Sequence, residues 1–221
     1  MERSPPDPPI EIETSSTPDA SIIWLHGLGA SGDDFVPVAH EITRPATRMI
    51  FPHAPYRAVT LNGGAVMRAW FDLYSLTGDA PQDESGIAEA AEALCHLVER
   101  EHARGLSPGR VVLAGFSQGG AVALHAALHC RQPLAGVMGL STYLPLHQTV
   151  NRDARPGHGG TPAFLAHGSW DPVIHQDSGQ RSADLLRIKG FAVEWHSYPM
   201  GHTVIPDEIA DIRSWLGRIL G

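Results

Sequence analysis

Ten consecutive residues, Val111-Val112-Leu113-Ala114-Gly115-Phe116-Ser117-Gln118-Gly119-Gly120, constrain the architecture of this chain more than any other stretch. The β-branched and aliphatic run Val111 to Ala114 suits a strand buried on both faces, and Ala121 to Leu128 continues as a helix former. Between them lies a Gly-x-Ser-x-Gly turn, which would force Ser117 into a strained backbone conformation. The flanking glycines tolerate it because they have no Cβ to collide with the neighbouring strand and helix. The Ser117 hydroxyl then stands clear at the strand end as a candidate nucleophile. The bland alternative is an ordinary serine in a Gly-rich turn.

The rest of the chain repeats the alternation of strand and helix. Ser21 to Leu25 is a compact apolar strand, after which Asp33 or Asp34 can cap a helix through about Ile42. A second strand is predicted at Arg48 to Phe51, and Pro52, Pro55, Asn62, Gly63 and Gly64 mark a long irregular loop ending near Gln82. From Ser85, apolar residues Ile87, Ala90, Ala91, Leu94, Leu97 and Val98 recur at helical spacing until Gly105 and Pro108 stop the helix. Further strands are predicted at Ala135 to Leu140, Pro162 to Ala166 and Phe191 to Tyr198, with a polar, Gly-rich stretch at Asn151 to Gly160. Helices are predicted from about Asp177 to Lys189 and from Pro206, where Ile209, Ile212, Trp215, Leu216 and Ile219 share one face. This pattern specifies an α/β fold, a mostly parallel central sheet with helices on both faces. The 221 residues fit a single domain at 19–221. Ahead of it, residues 1–18 are expected to be flexible, with room for one edge strand at Ile10 and Ile12.

The net charge of −8 and the scattered basic residues argue against a nucleic-acid partner. Met1 to Pro9 lacks the apolar core of a signal peptide, and no run approaches the roughly 18 apolar residues of a membrane span. A soluble cytoplasmic protein without stable membrane insertion is expected. Cys95 and Cys130 each lie within a predicted helix and form no Cys-x-x-Cys pair, so both are expected to be reduced packing residues.

In open parallel sheets, sites form in loops at the carboxyl ends of strands, so any partners of Ser117 should come from such loops. In the order Ser, acid, His, the later acids include Asp153, Asp171, Asp177, Asp184 and Glu194. Only Asp171 follows a strand directly. It could accept from an imidazole N–H and stabilise an imidazolium, or serve merely as a turn cap. His175 shares the acid's own loop and His196 lies in a strand, which leaves His202 as the candidate general base. For the oxyanion of an acyl-transfer intermediate, the backbone N–H of Gln118 is the first donor, and the His26–Gly29 loop supplies the second, with Leu28 preferred.

Two other chemistries are weighed beside this one. His125 and His129 have the i, i+4 spacing of a metal pair but lack the adjacent Glu and a third ligand, so no metal is expected. Gly27-Leu28-Gly29-Ala30-Ser31-Gly32 matches Gly-x-Gly-x-x-Gly, and an NADP-binding protein would use such a loop. Against that, Arg44 to Arg57 contains no ribose-binding acid, and Asp33 and Asp34 would repel a pyrophosphate at the helix start. A binding protein of the same fold without catalysis is disfavoured because no member of the Ser, acid, His set is missing.

Several motifs recur together: His26-Gly27-Leu28-Gly29, Pro52-His53-Ala54-Pro55, Val59 to Gly64, Trp70-Phe71-Asp72, Gly115 to Gly120, His167-Gly168 with Asp171-Pro172-Val173, and Gly201-His202. In this order the sequence resembles the phospholipase/carboxylesterase family of α/β-hydrolases, which includes acyl-protein thioesterases, from about Ile22 to Leu220. The tail Glu194 to His202 looks closest to the bacterial carboxylesterase branch. The resemblance implies an α/β-hydrolase fold with no large lid domain, a triad of Ser117, Asp171 and His202, and oxyanion donors at Leu28 and Gln118. It implies a serine carboxylesterase acting on small-molecule esters of short to medium acyl chain, with thioesterase or lysophospholipase activity on longer chains as the alternative. No cofactor is required, and a monomer or homodimer is implied. His175 stands near where many members place a proline, which leaves the pocket rim open. Leu73, Leu76, Tyr143 and Leu144, in loops near the site, are the acyl-pocket candidates, or else ordinary packing residues.

Overall fold

Strands without polar alternation bury both faces, and here they form the middle of one sheet. The structure is a computed structural model that describes residues 7–42, 44–76, 80–148 and 159–221. Its strands are β1 (Ile10–Glu13), β2 (Ala20–Leu25), β3 (Thr47–Phe51), β4 (Tyr56–Val59), β5 (Ala65–Arg68), β6 (Val111–Phe116), β7 (Gly136–Leu140), β8 (Pro162–Gly168) and β9 (Ala192–Tyr198). The helices are α1 (Val36–Ile42), α2 (Glu84–Ala103), α3 (Gln118–Ala127), α4 (Gln176–Ile188) and α5 (Pro206–Leu220). Seven strands are ordered β1-β3-β2-β6-β7-β8-β9, all parallel except β1. Ile23 pairs with Leu113, Leu113 with Val137 and Val137 with Ala163, which puts β6 and its turn at the centre. Alternate residues serve opposite layers. Ile22 and Trp24 pack with Ile42 of α1 and Trp215 of α5, whereas Ile23 and Leu25 pack with Leu94, Val122 and Leu186 of α2, α3 and α4. The α/β layering expected from the sequence is therefore present, and no helix among the described residues is long and apolar enough to cross a membrane.

Several local expectations are corrected. The edge strand allowed for at Ile10 and Ile12 is present as Ile10–Glu13, antiparallel to β3 with Ile10 opposite Phe51, so the flexibility expected of residues 1–18 does not hold for these four. Glu13 pairs with Arg48 at 2.7 Å, Glu11 pairs with Arg100 of α2 and with Arg104 just past its end, and Arg48 reaches the fully buried Glu101 at 2.6 Å. These partners are distant in sequence, so no local pattern reveals them. The helix cap is Ser31, not Asp33 or Asp34: its hydroxyl and the Asp34 carboxylate form a capping box on a short 3₁₀ turn, Gly32–Phe35, that leads into α1. The loop expected to be irregular contains the hairpin β4–β5, closed through Gly63 and Gly64. Cys95 and Cys130 are not reduced but joined in a disulfide, their Cα atoms 5.3 Å apart, because α2 packs beside α3 and brings their sulfurs together. Most of the polar stretch at 151–160, with Asp153, lies outside the described residues.

Candidate active site

Four loops leave the carboxyl ends of parallel strands on one edge of the sheet: His26–Gly29 after β2, Ser117 after β6, Asp171 after β8 and His202 after β9. At the end of β6 the chain reverses into α3 within one residue, and Ser117 takes φ 54° and ψ −122°. The reversal brings backbones so close that a Cβ on Gly115 would lie 2.4 Å from the Gly119 carbonyl carbon, and one on Gly119 would lie 2.4 Å from Leu25 O. Glycine is thus a packing requirement of the turn.

Ser117 Oγ lies 2.9 Å from His202 Nε2, and His202 Nδ1 lies 2.7 Å from Asp171 Oδ2. A carboxylate can only accept, so Nδ1 carries the proton and Nε2 is left to accept from the serine hydroxyl. The other carboxylate oxygen, Asp171 Oδ1, accepts from the backbone N–H groups of Val173 at 2.8 Å and Ile174 at 2.9 Å. The two roles weighed for Asp171, turn cap and histidine partner, therefore coexist on different oxygens. His167, at the end of β8, is buried beside them: its Nε2–H donates to Ile174 O at 2.8 Å and lies 3.4 Å from Asp171 Oδ2. Burial holds its pKa below the ordinary histidine range, keeping the ring neutral against the turn that carries Asp171.

Gln118 opens α3, where a backbone N–H has no intrahelical acceptor. Leu28 lines the groove in front of Ser117, so both expected oxyanion donors belong to the walls of one space. The Gln118 side chain accepts from Trp70 N–H at 2.9 Å and donates to Phe71 O at 2.8 Å, while Trp70 Nε1–H donates to His26 O at 2.8 Å. His26 is buried: its Nε2 accepts from Ala54 N–H at 3.0 Å, so Nδ1 donates to Gly27 O at 2.7 Å. Desolvation lowers its pKa and keeps it neutral. His26, Trp70 and His167 were given no role from the sequence. The available signal was their place beside strand ends: His26 opens the loop expected to supply an oxyanion donor, and Trp70 and His167 belong to motifs quoted for the resemblance.

The groove has a volume of about 550 Å³ and is lined by Ser117 and His202 together with Leu73, Leu76 and Tyr143. A neighbouring cavity of about 380 Å³ shares Leu73, Leu76, Tyr143 and Ile174 with it. Leu144 touches only the second cavity and is buried in the core. Burial pushes the Tyr143 hydroxyl up to about 12, so it stays protonated.

The remaining candidates lie elsewhere. Glu194 pairs with Arg218, His196 stacks on Phe164, and His175 caps α4 with Asp177 beside it. His125 and His129 stack at 4.3 Å, and no group of three His, Cys, Asp or Glu among the described residues is placed to hold a metal. The Gly27–Gly32 loop leads into a single 3₁₀ turn headed by Asp33 and Asp34, and its Gly29 N–H is engaged by Arg68 O. That geometry disfavours a dinucleotide pyrophosphate.

Comparison with known proteins gives a consistent result. The sequence profile of the phospholipase/carboxylesterase family matches residues 9–220. Acyl-protein thioesterase 1 of Yarrowia lipolytica is 39% identical over 228 residues, covering 96% of this chain and 97% of its own. A probable carboxylesterase of Oryza sativa is 35% identical over 201 residues, covering 88% of this chain and 76% of its own. Among solved structures, Zea mays acyl-protein thioesterase 2 superposes with a TM-score of 0.86 at 33% identity, covering 96% of this chain and 99% of that one.

Proposed function

The chain belongs to the phospholipase/carboxylesterase family of α/β-hydrolases, and from that premise we propose that it cleaves acyl esters and thioesters through an acyl-enzyme on Ser117. The observation that carries this is the continuous path Ser117 Oγ, His202, Asp171, with contacts of 2.9 and 2.7 Å. His202 Nε2 takes the hydroxyl proton as Oγ attacks the acyl carbonyl, and Asp171 Oδ2 stabilises the imidazolium. The N–H groups of Leu28 and Gln118 receive the developing oxyanion. His202 then returns its proton to the departing alkoxide or thiolate. Water, giving its proton to the same nitrogen, attacks the acyl-enzyme, and the acid leaves with Ser117 restored.

The likeness of the tail to bacterial carboxylesterases inclined the sequence reading to short and medium acyl chains. The second, mainly apolar cavity, which shares Leu73, Leu76 and Tyr143 with the groove, supports chains of medium and greater length. For location, the cytoplasm expected from the sequence keeps most cysteine pairs open, so the Cys95–Cys130 bond fits an oxidising compartment better.

The test is turnover of p-nitrophenyl acetate, octanoate and palmitate and of matching thioesters, with Ser117→Ala alongside. We expect kcat/KM to rise from acetate to octanoate, and Ser117→Ala to lose at least about 10³ in kcat. Undiminished turnover in the variant would sink the mechanism, and a steady fall in kcat/KM from acetate onward would discard the longer-chain reading alone.

A further inference from the structure

We propose that Thr142, at the exit of β7, is a positioning residue that aims the Gln118 N–H, so that the oxyanion site is set from the neighbouring strand as well as from the elbow. The proposal rests on the role of Ser117 and Gln118 given above.

The chain leaving β7 turns sharply at Ser141. This residue is fully buried, holds φ 46°, a conformation that side chains rarely adopt, and its own hydroxyl has no hydrogen-bond partner among the described residues. The turn brings the residues on either side of it against Ser117. Leu140 O accepts the Ser117 N–H at 2.9 Å, and Thr142 Oγ1 donates to Ser117 O at 2.6 Å. Ser117 O also accepts the Ala121 N–H at 3.1 Å, which starts α3, so both of its lone pairs are engaged. The nucleophile's backbone is therefore clamped at its N–H and at its C=O from one short segment, 140–142.

The consequence lies in peptide geometry. In a planar trans peptide the C=O of Ser117 and the N–H of Gln118 share one plane and point in opposite directions. A hydroxyl that fixes the carbonyl therefore fixes the N–H, and a hydrogen bond accepted by the carbonyl polarises the unit and strengthens the N–H as a donor. Thr142 is itself held. It is 2% exposed, and its Cβ and Cγ2 fill the space in which a Cβ on Gly120 would stand only 2.8 Å away. A glycine at position 120 and a methyl-bearing hydroxyl residue at position 142 are complementary halves of one contact.

Thr142→Val keeps the shape and removes the hydroxyl; Thr142→Ser keeps the hydroxyl and removes the methyl; Thr142→Ala removes both. Steady-state kinetics on p-nitrophenyl octanoate, inhibition by an acyl trifluoromethyl ketone and thermal melting are measured for each. The ketone adds to Ser117 Oγ, its carbonyl oxygen becomes the oxyanion, and the serine proton passes to His202, so its affinity reads the oxyanion site directly. We expect Thr142→Val and Thr142→Ala to lose roughly 10- to 100-fold in kcat, with KM changed by less than about twofold and ketone inhibition weakened by a similar factor. Thr142→Ser should recover kcat to within about threefold of wild type, since the hydroxyl that makes the bond is kept. Wild-type kcat in a folded Thr142→Val would overturn the proposal. So would equal losses in Thr142→Ser and Thr142→Val, which would make the contact one of packing. If Thr142→Val does not fold, the Ser and Ala pair carries the same comparison. Failure of the underlying reading is separately visible, because Ser117→Ala would then keep turnover and wild-type Ser117 would not be labelled by a fluorophosphonate.

Discussion

Glu208 is the third residue of α5, fully buried, and neither of its carboxyl oxygens makes a well-formed hydrogen bond among the described residues. Burial, offset only in part by the Ile205 N–H, pushes its pKa up from 4.5 to about 8. The folded protein then holds a proton that the unfolded chain releases at lower pH. The stability tied to this group is complete below the unfolded value and is lost as pH rises towards about 8. Glu208→Gln, which cannot ionise, should flatten the fall in melting temperature between about pH 5 and pH 8. A slope that the substitution leaves unchanged excludes Glu208 as its source. At this scale the meeting of Ser117, Asp171 and His202 was legible because each follows its own strand, and in a parallel sheet those ends converge. His26, His167, Trp70 and Thr142 were not legible. Each acts on a backbone group of another segment, respectively Ala54, Ile174, His26 and Ser117, or is held by one, and sequence spacing carries no trace of such contacts.

Helices and strands with one dominant period were read with the right type, and their ends moved by a few residues. The expectations that failed concern pairing between elements. For β1 the alternation of Ile10 and Ile12 marks room for an edge strand, but what orders it lies in other segments: Arg48, Arg100 and Arg104 supply partners for its acids. The hairpin β4–β5 sits among prolines and glycines that, read singly, signal irregular chain. Cys95 and Cys130 meet because α2 and α3 pack on the same face, and the bond closes a loop of separation 35 that contains β6 and the elbow. Replacing both cysteines by alanine should lower stability by about 2–4 kcal/mol, read by denaturant unfolding, and a reductant should produce the same loss in the wild type. Stability that neither treatment alters would make the bond incidental to the fold.

For the molecule as a whole, one sheet joins the N-terminal strand to the last, so the parts should unfold together. Calorimetry should show a single transition with matching calorimetric and van't Hoff enthalpies. Removing residues 1–14 strips the antiparallel strand from β3, takes Glu13 from the buried Arg48–Glu101 pair and takes Glu11 from Arg100 and Arg104. The truncated chain should therefore melt lower while keeping one transition, and an unchanged melting temperature would show that β1 adds nothing. The sequence by itself determined the layers, the strand–turn–helix of the elbow and the loops from which the candidate triad comes, because apolar periodicity and turn chemistry are local quantities. Only the tertiary structure decided that Asp171 serves a turn and a histidine with separate oxygens, that the cysteines bond, and that residues 140–142 clamp the elbow. These depend on distances between segments remote in the chain. The Gly-x-Ser-x-Gly turn could be read from ten residues, but what holds its peptide in line comes from the next strand.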